Sequence, residues 1–370
     1  MAGLPTTMRS LVAPKKGTPL EYIVTDMPVP EITEPDQVIV RTHSSTIETG
    51  EVMLNNGQLS MFHKAEFPSP LGMAGSGTVV AVGADVKTLR VGDDVYGHNV
   101  RKPMFLDPPT FFASEYARVR AANLLVKPAH VPFESAAALS GFVVTACQTI
   151  RRGLRLAGWS SLEGRTVYVP AALSGTGCVI IQVARNVFGA GRIVSTVSTA
   201  KMDLVERYLP GMVDQLIDYK KTKNLLDVVP RGSVDFAINT QLATLAPSVP
   251  LLNPHTGVLM SVTSLPTRAT VLEMLGPERM PFWLGPVLDL AQWYYRWLLW
   301  GTSIRHEMVS GNPAIREDLE EAGEIIARGQ VKGVVRVVPL EDIEAVRKGC
   351  NEVYTQVGGV GRMIVKVRKD

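Results

Sequence analysis

The chain has 370 residues, more than one hydrophobic core usually organises, so two domains are expected. Hydrophobic residues make up 46% and charged residues 20%, a globular balance that excludes a chain dominated by disorder. A net charge of +3 with no long Lys/Arg block gives no reason to make nucleic acid the ligand and leaves an acidic or phosphorylated small molecule open.

The N-terminus has no continuous apolar core followed by a cleavage site, so a secretory signal is not expected. Cys147, Cys178 and Cys350 are far apart and odd in number, which excludes both a four-cysteine zinc lobe and a disulfide framework. Reduced thiols and a cytoplasmic location follow as the default. Residues 1 to about 140 are rich in Pro, Gly and β-branched residues, with strand-like runs at 37–41 and 77–82, as in a small barrel. Glycines 72, 75, 77, 83, 92 and 97 punctuate these runs where a side chain would clash. His43, His63 and His98 lack a cysteine or carboxylate at ligand spacing, so no metal is expected.

From Glu134 the composition turns helical through Ile150, with a hinge between domains expected near Ser140 and Gly141. Residues 166–169 then read as a buried strand, Pro170 to Gly177 as a turn of small residues, and 178–188 as a helix. A second strand at 192–197 completes a βαβ unit of Rossmann spacing. Ser174, Gly175, Thr176 and Gly177 are the candidates for holding a diphosphate, because small residues admit the backbone and the opening N–H groups of the helix donate to its oxygens. The turn departs from Gly-x-Gly-x-x-Gly at Ala171 and Ser174.

The second strand is followed by Ser198, Thr199 and Lys201 instead of the acid that holds a ribose 2′-hydroxyl. Two hydroxyls and a cation suit a 2′-phosphate, which makes NADPH the expected cofactor. A solvated lysine opening a helix is the plainer reading of Lys201. Further strand-like runs lie at 216–219, 234–236 and 257–260, and Asn239, Ser261 and Thr263 stand at strand ends, where open α/β sheets present ligand-contacting loops.

Residues 281–300 carry four of the five tryptophans and two charges, Asp289 and Arg296. At helical spacing Trp283, Val287, Leu290, Tyr294 and Trp297 share one face. Three readings stand for it: core or dimer-interface packing, a lid over an elongated apolar substrate, and insertion at a membrane surface. Gly285-Pro286 and the short apolar length disfavour a membrane span. Residues 314–328 form an amphipathic helix that returns the chain to the first domain.

The glycine-punctuated stretch 71–97, the run 112–119, Ala136-Ala-Ala-Leu with Thr145, the strand series and the tail 338–367 occur in one order. That order resembles the medium-chain dehydrogenase/reductases, in particular quinone oxidoreductases and the stand-alone enoyl reductases that assist fungal polyketide synthases. The resemblance implies an α/β fold, a GroES-like β-barrel over 1–141 and 306–370 with a Rossmann doubly wound parallel sheet over 142–305. Met73-Ala74 occupies the place of the His-Glu pair of zinc-using members, so a zinc-independent protein is implied. Ala171 and Ser174 stand where such members often carry glycine. The resemblance also brings Thr145 to the nicotinamide, Tyr219 with Lys220 beside the adenosine, and a homodimer interface to 301–309. For Thr145 a bond to the preceding helical turn is the alternative.

The function implied is NADPH-dependent reduction of an activated C=C or C=O in an enone, quinone or enoyl thioester, small or carrier-bound and apolar, with a biosynthetic synthase as partner. No catalytic residue is assigned, since hydride delivery needs orientation and water can supply the proton. Glu48 reads either as cleft-facing or as a helix-start glutamate. The rival is a non-redox member of the same scaffold that binds a membrane surface or a protein.

Overall fold

The computed structural model describes residues 3–100 and 111–368. Strand Gln37–Thr46 is the axis of the barrel. It pairs antiparallel with Ala74–Val82 and with Tyr116–Arg120, and its far end takes Arg362–Lys366 from the C-terminal tail. Val335–Pro339 adds in parallel to that tail strand, and Asp94–His98 followed by Leu124–Val126 extends the other side. Alternation puts Val38, Val40, Val79, Val95, Val119 and Leu124 inside, where they close around Phe112. A smaller sheet of Ile23–Pro28, Thr7–Ala13 and Ser69–Pro70 covers the barrel.

The second domain is one parallel sheet in the order Gln215–Asp218, Arg192–Val197, Thr166–Val169, Phe236–Asn239, Val258–Ser261, Arg305–Met308. The first strand in sequence lies centrally and the chain then winds outward in both directions, so the winding order reverses between Thr166–Val169 and Phe236–Asn239 while the strands stay parallel. Strands 166–169 and 192–197 lie where the sequence pattern puts them. The run at 234–236 moves to Phe236–Asn239, because Val234 is spent on an isolated bridge to Leu252. The boundary expected at 305/306 also shifts: Arg305–Met308 pairs with Val258–Ser261, so the Rossmann sheet extends to Met308.

No break occurs at Ser140-Gly141. Helix Phe133–Ala157 runs straight through the expected hinge and serves both domains. Ala137 and Ala138 pack on Ile364 of the barrel, while Val143, Cys147, Ile150 and Leu154 enter the Rossmann core. Among the described residues it is the one helix long and apolar enough to cross a membrane, but its apolar side chains are committed to these two cores.

The tryptophan-rich segment forms helix Leu284–Leu298. Leu284, Leu288 and Tyr295 seat it, and the Tyr295 hydroxyl accepts from Leu265 N at 2.9 Å. Trp283, Val287, Leu290, Tyr294 and Trp297 do share a face, and it is the exposed one. Phe282 and Trp300 flank it at 93% and 85% exposure. Packing within this chain's own core is therefore not its role.

Candidate functional site

The turn after Thr166–Val169 folds back on the second strand, with Ala171 N donating to Thr196 Oγ1 at 3.0 Å and Ala172 N to Thr196 O at 2.9 Å. Ala171 adopts φ +59°, the left-handed region that an L side chain enters at a cost of about 1–2 kcal/mol. Helix Gly177–Asn186 begins at the end of this turn. A Cβ on Gly177 would lie 2.4 Å from Ala171 O, so only glycine lets helix and strand close together. Ser174 supplies the local cap: its Oγ accepts from Gly177 N at 2.9 Å and its carbonyl from Cys178 N at 3.1 Å. Gly175 and Thr176 line the cleft. A small-residue cradle at a helix start on the central strand of a parallel sheet fits a dinucleotide diphosphate.

Across the cleft stands the C-terminal tail. Gly361 N donates to Leu173 O at 2.8 Å, and Lys201 Nζ donates to Gly359 O. Arg362 lies over Gly175, whose missing Cβ would meet Arg362 Cδ at 2.4 Å. Its guanidinium stacks 3.3 Å from the centroid of the Phe142 ring. Nη2 approaches Glu48 Oε1 at 3.3 Å but out of line, so this buried nitrogen has no hydrogen-bond partner among the described residues. Burial pulls the Arg362 pKa below its ordinary value, with Glu48 opposing. Arg336 and Glu352 form a second ion pair on the same wall.

Asn239, Ser261 and Thr263 come together as one network. Asn239 Nδ2 donates to Ser261 Oγ and Thr263 Oγ1, both at 3.2 Å, while Thr244 Oγ1 donates to Asn239 Oδ1 at 2.5 Å. Thr145 donates its hydroxyl to Gly141 O at 2.8 Å, and Gly311 leaves room for it: a Cβ there would meet Thr145 Oγ1. At the other end Ser198 and Thr199 follow the second strand, and Tyr219 is exposed with Lys220 5.4 Å from its ring centroid. Lys201 turns away from this corner to the tail, and desolvation lowers its pKa.

The acid that the second strand lacks arrives from the third. Asp218 pairs beside Val197, and its carboxylate accepts from Thr199 Oγ1 at 2.7 Å and Lys220 N at 3.0 Å. Partial desolvation works against the charge, but the hydrogen bonds outweigh it and hold Asp218 below the usual carboxylate range.

On the barrel side Glu48 caps the start of helix Thr49–Asn55, as the helix-start reading has it, and its carboxylate lies 3.3 Å from Arg362 Nη2. Glu51 is buried and accepts from Gly72 N at 2.5 Å, Met73 N at 3.2 Å and Glu48 N at 3.0 Å. Desolvation, reinforced by Glu48, pushes its pKa up to about 8. His98 is buried between Pro313 O, 2.9 Å from Nε2, and Val100 N, which donates to Nδ1 at 3.4 Å. Burial pushes its pKa down to about 4, which keeps the ring neutral. His43 stacks on Phe133 at 4.4 Å. Among the described residues no group of three His, Cys, Asp or Glu side chains is arranged for a metal ion.

Residues 34–129 match the alcohol dehydrogenase GroES-like domain. A quinone oxidoreductase from Coxiella burnetii superposes with a TM-score of 0.73 at 22% identity, covering 98% of this chain and 100% of that one. The fold is that of the medium-chain dehydrogenase/reductases. A 2-methylene-furan-3-one reductase of Solanum lycopersicum is 36% identical over 52% of this chain and 47% of its own length. An NADPH-dependent alkenal/one oxidoreductase of Arabidopsis thaliana is 32% identical over 64% and 58%. A reducing polyketide synthase of Cochliobolus heterostrophus is 30% identical over 58% of this chain and 8% of the synthase. The match spans about half the length of the first two relatives.

Arg362, Glu51 and Asp218 escaped the sequence reading. Arg362 had one signal, a lone cation opening the apolar tail strand; Glu51 and Asp218 had none that separates them from solvated acids.

Proposed function

We propose that the chain is a zinc-independent, NADPH-dependent reductase of an activated C=C or C=O, with enones, quinones and enoyl thioesters as the substrate class. The observation that carries this reading is the single cleft in which the glycine turn of the parallel sheet faces Thr49, Glu352 and Arg362 of the barrel and its tail. The reductase and alkenal/one oxidoreductase relatives support the class, and the synthase relative supports a carrier-bound substrate presented by a biosynthetic partner.

NADPH supplies a hydride when bound, which adds to the electron-poor carbon of the alkene. Gly175 and Thr176 hold the diphosphate, and Ser198, Thr199 and Tyr219 take the adenosine end. The Asn239–Ser261–Thr263 network sets one wall of the nicotinamide end. Met73 and Ala74 offer no ligand that would polarise the substrate carbonyl through zinc, so orientation between the two domains carries the rate and water supplies the proton. Three buried free thiols suit a cytoplasmic enzyme.

Titration with NADPH and NADH, then cofactor oxidation with quinones, enones and enoyl thioesters, tests the reading. Tight NADPH binding with substrate-dependent oxidation is expected; binding of neither nucleotide would sink it. The exposed tryptophan face favours a second reading, attachment to a lipid or protein surface, with a second copy along the open edge Arg305–Met308 as the homodimer form. Co-flotation with liposomes, and light scattering for the dimer, separate these.

A further inference from the structure

We propose that helix Leu284–Leu298 docks the protein on an anionic lipid surface, its aromatic face at the acyl boundary and Arg296 at the headgroup phosphates. The inference rests on the attachment reading above and commits it to one occupant. The first argument is composition. Leu290, Trp293 and Trp297 are 65%, 58% and 59% exposed, and Phe282 and Trp300 carry the face past both ends of the helix. A contiguous apolar surface of this kind gains by leaving water. Trp and Tyr dominate it, and these are the side chains that settle at a membrane–water boundary, ring in the apolar layer and polar tip in the wet one.

The second argument is shape. Leu284, Leu288 and Tyr295 seat the helix along one stripe, so the other half stands out from the domain as a ridge. A ridge lies in the plane of a bilayer without needing a complementary groove. The third argument is charge, and it separates lipid from a second copy. Asp289 is the one acid on the helix, and Arg268, lying over Gly285, holds it at 2.8 Å. Arg296 borders the face a turn from Trp293, is exposed, and has no ion pair among the described residues. Two copies of this helix brought face to face bring two such cations and no free acid to meet them, whereas an anionic headgroup meets the cation directly.

Flotation and tryptophan emission with vesicles of phosphatidylcholine, with and without phosphatidylserine, test this for wild type, W159F, R296Q and the double variant L290Q/W297Q. Wild type is expected on both vesicles, about five-fold tighter or more with phosphatidylserine, and the margin shrinks as salt rises. The emission moves to the blue on binding, and W159F keeps that shift because the four remaining tryptophans all stand on the face or at its ends. R296Q is expected to lose about three-fold or more on the anionic vesicles and to stay within about two-fold on the neutral ones. L290Q/W297Q is expected to weaken about ten-fold or more on both. The side chains changed in these last two variants are exposed, and an unchanged unfolding midpoint verifies the fold. Equal binding to the two vesicles, or flotation that survives L290Q/W297Q, would overturn the inference. A dimer in light scattering that L290Q/W297Q dissolves, without flotation, overturns it in favour of a second copy and leaves attachment standing. Wild type that neither floats nor dimerises sinks the attachment reading as well.

Discussion

Asn239 and Ser261 end two central strands with no exposed surface, whereas Tyr219 and Lys220 follow the edge strand Gln215–Asp218 and stand in water. At the central end every polar group must find a partner inside the protein, so Asn239, Ser261, Thr263 and Thr244 lock one another in place. At the edge the same residue types are held by one carboxylate, Asp218, and by solvent. Packing fixes the first end. The second is tuned by charge and is open to screening and cheap substitution.

Substitutions can break this contrast. Gly177→Val forces a side chain against the Ala171 carbonyl beneath both ends; a loss of about 3 kcal/mol in denaturant unfolding is expected, and nucleotide binding with it. Asn239→Ala removes the amide that donates to Ser261 and Thr263 and accepts from Thr244, while Ser261 and Thr244 keep their backbone partners, and should cost about 1 kcal/mol by the same measurement. Equal stability to wild type would show the network to be ornamental. Asp218→Asn removes the only carboxylate hydrogen-bonded to Thr199 among the described residues and should raise the NADPH over NADH affinity ratio about three-fold, read by paired titrations. A ratio that falls would mean that Asp218 orders the corner rather than repels a phosphate. The smallest change is Ala171→Gly, where relief of the left-handed strain narrowly exceeds the added unfolded-state entropy, a gain of about 0.5 kcal/mol by thermal unfolding.

The same contrast explains what the sequence could tell. Strands Thr166–Val169 and Arg192–Val197 were legible because each is an apolar run bounded by turn residues, and the shared aromatic face of Leu284–Leu298 follows from helical spacing, whereas its exposure does not. Asn239, Ser261 and Thr263 were singled out by their strand-end places, and the structure joins them in one hydrogen-bonded network. Asp218 was not, because its neighbour Thr199 is set by the parallel register Val197 to Asp218, and register has no local signature. Arg362 reaches the glycine turn only because the tail pairs with Gln37–Thr46, a contact between the two ends of the chain. Helix Thr49–Asn55 follows the helix start read at Glu48; its opening residues Thr49 and Gly50 are weak helix formers, and the bond from Glu48 N to Glu51 sets it.

Glu51 carries a consequence for the solution in which this protein is handled. Its carboxyl, pinned under the Gly72-Met73 backbone and raised to about 8 by desolvation, keeps a proton that the unfolded chain would release near the ordinary glutamate value. Between those two values folding takes up protons, so this residue's share of stability is whole in mild acid and drains away as the medium is made alkaline toward pH 8. His98 in the same barrel pulls the other way, since burial keeps its ring neutral and its share of stability is lost as the medium is acidified from the ordinary histidine value toward about 4.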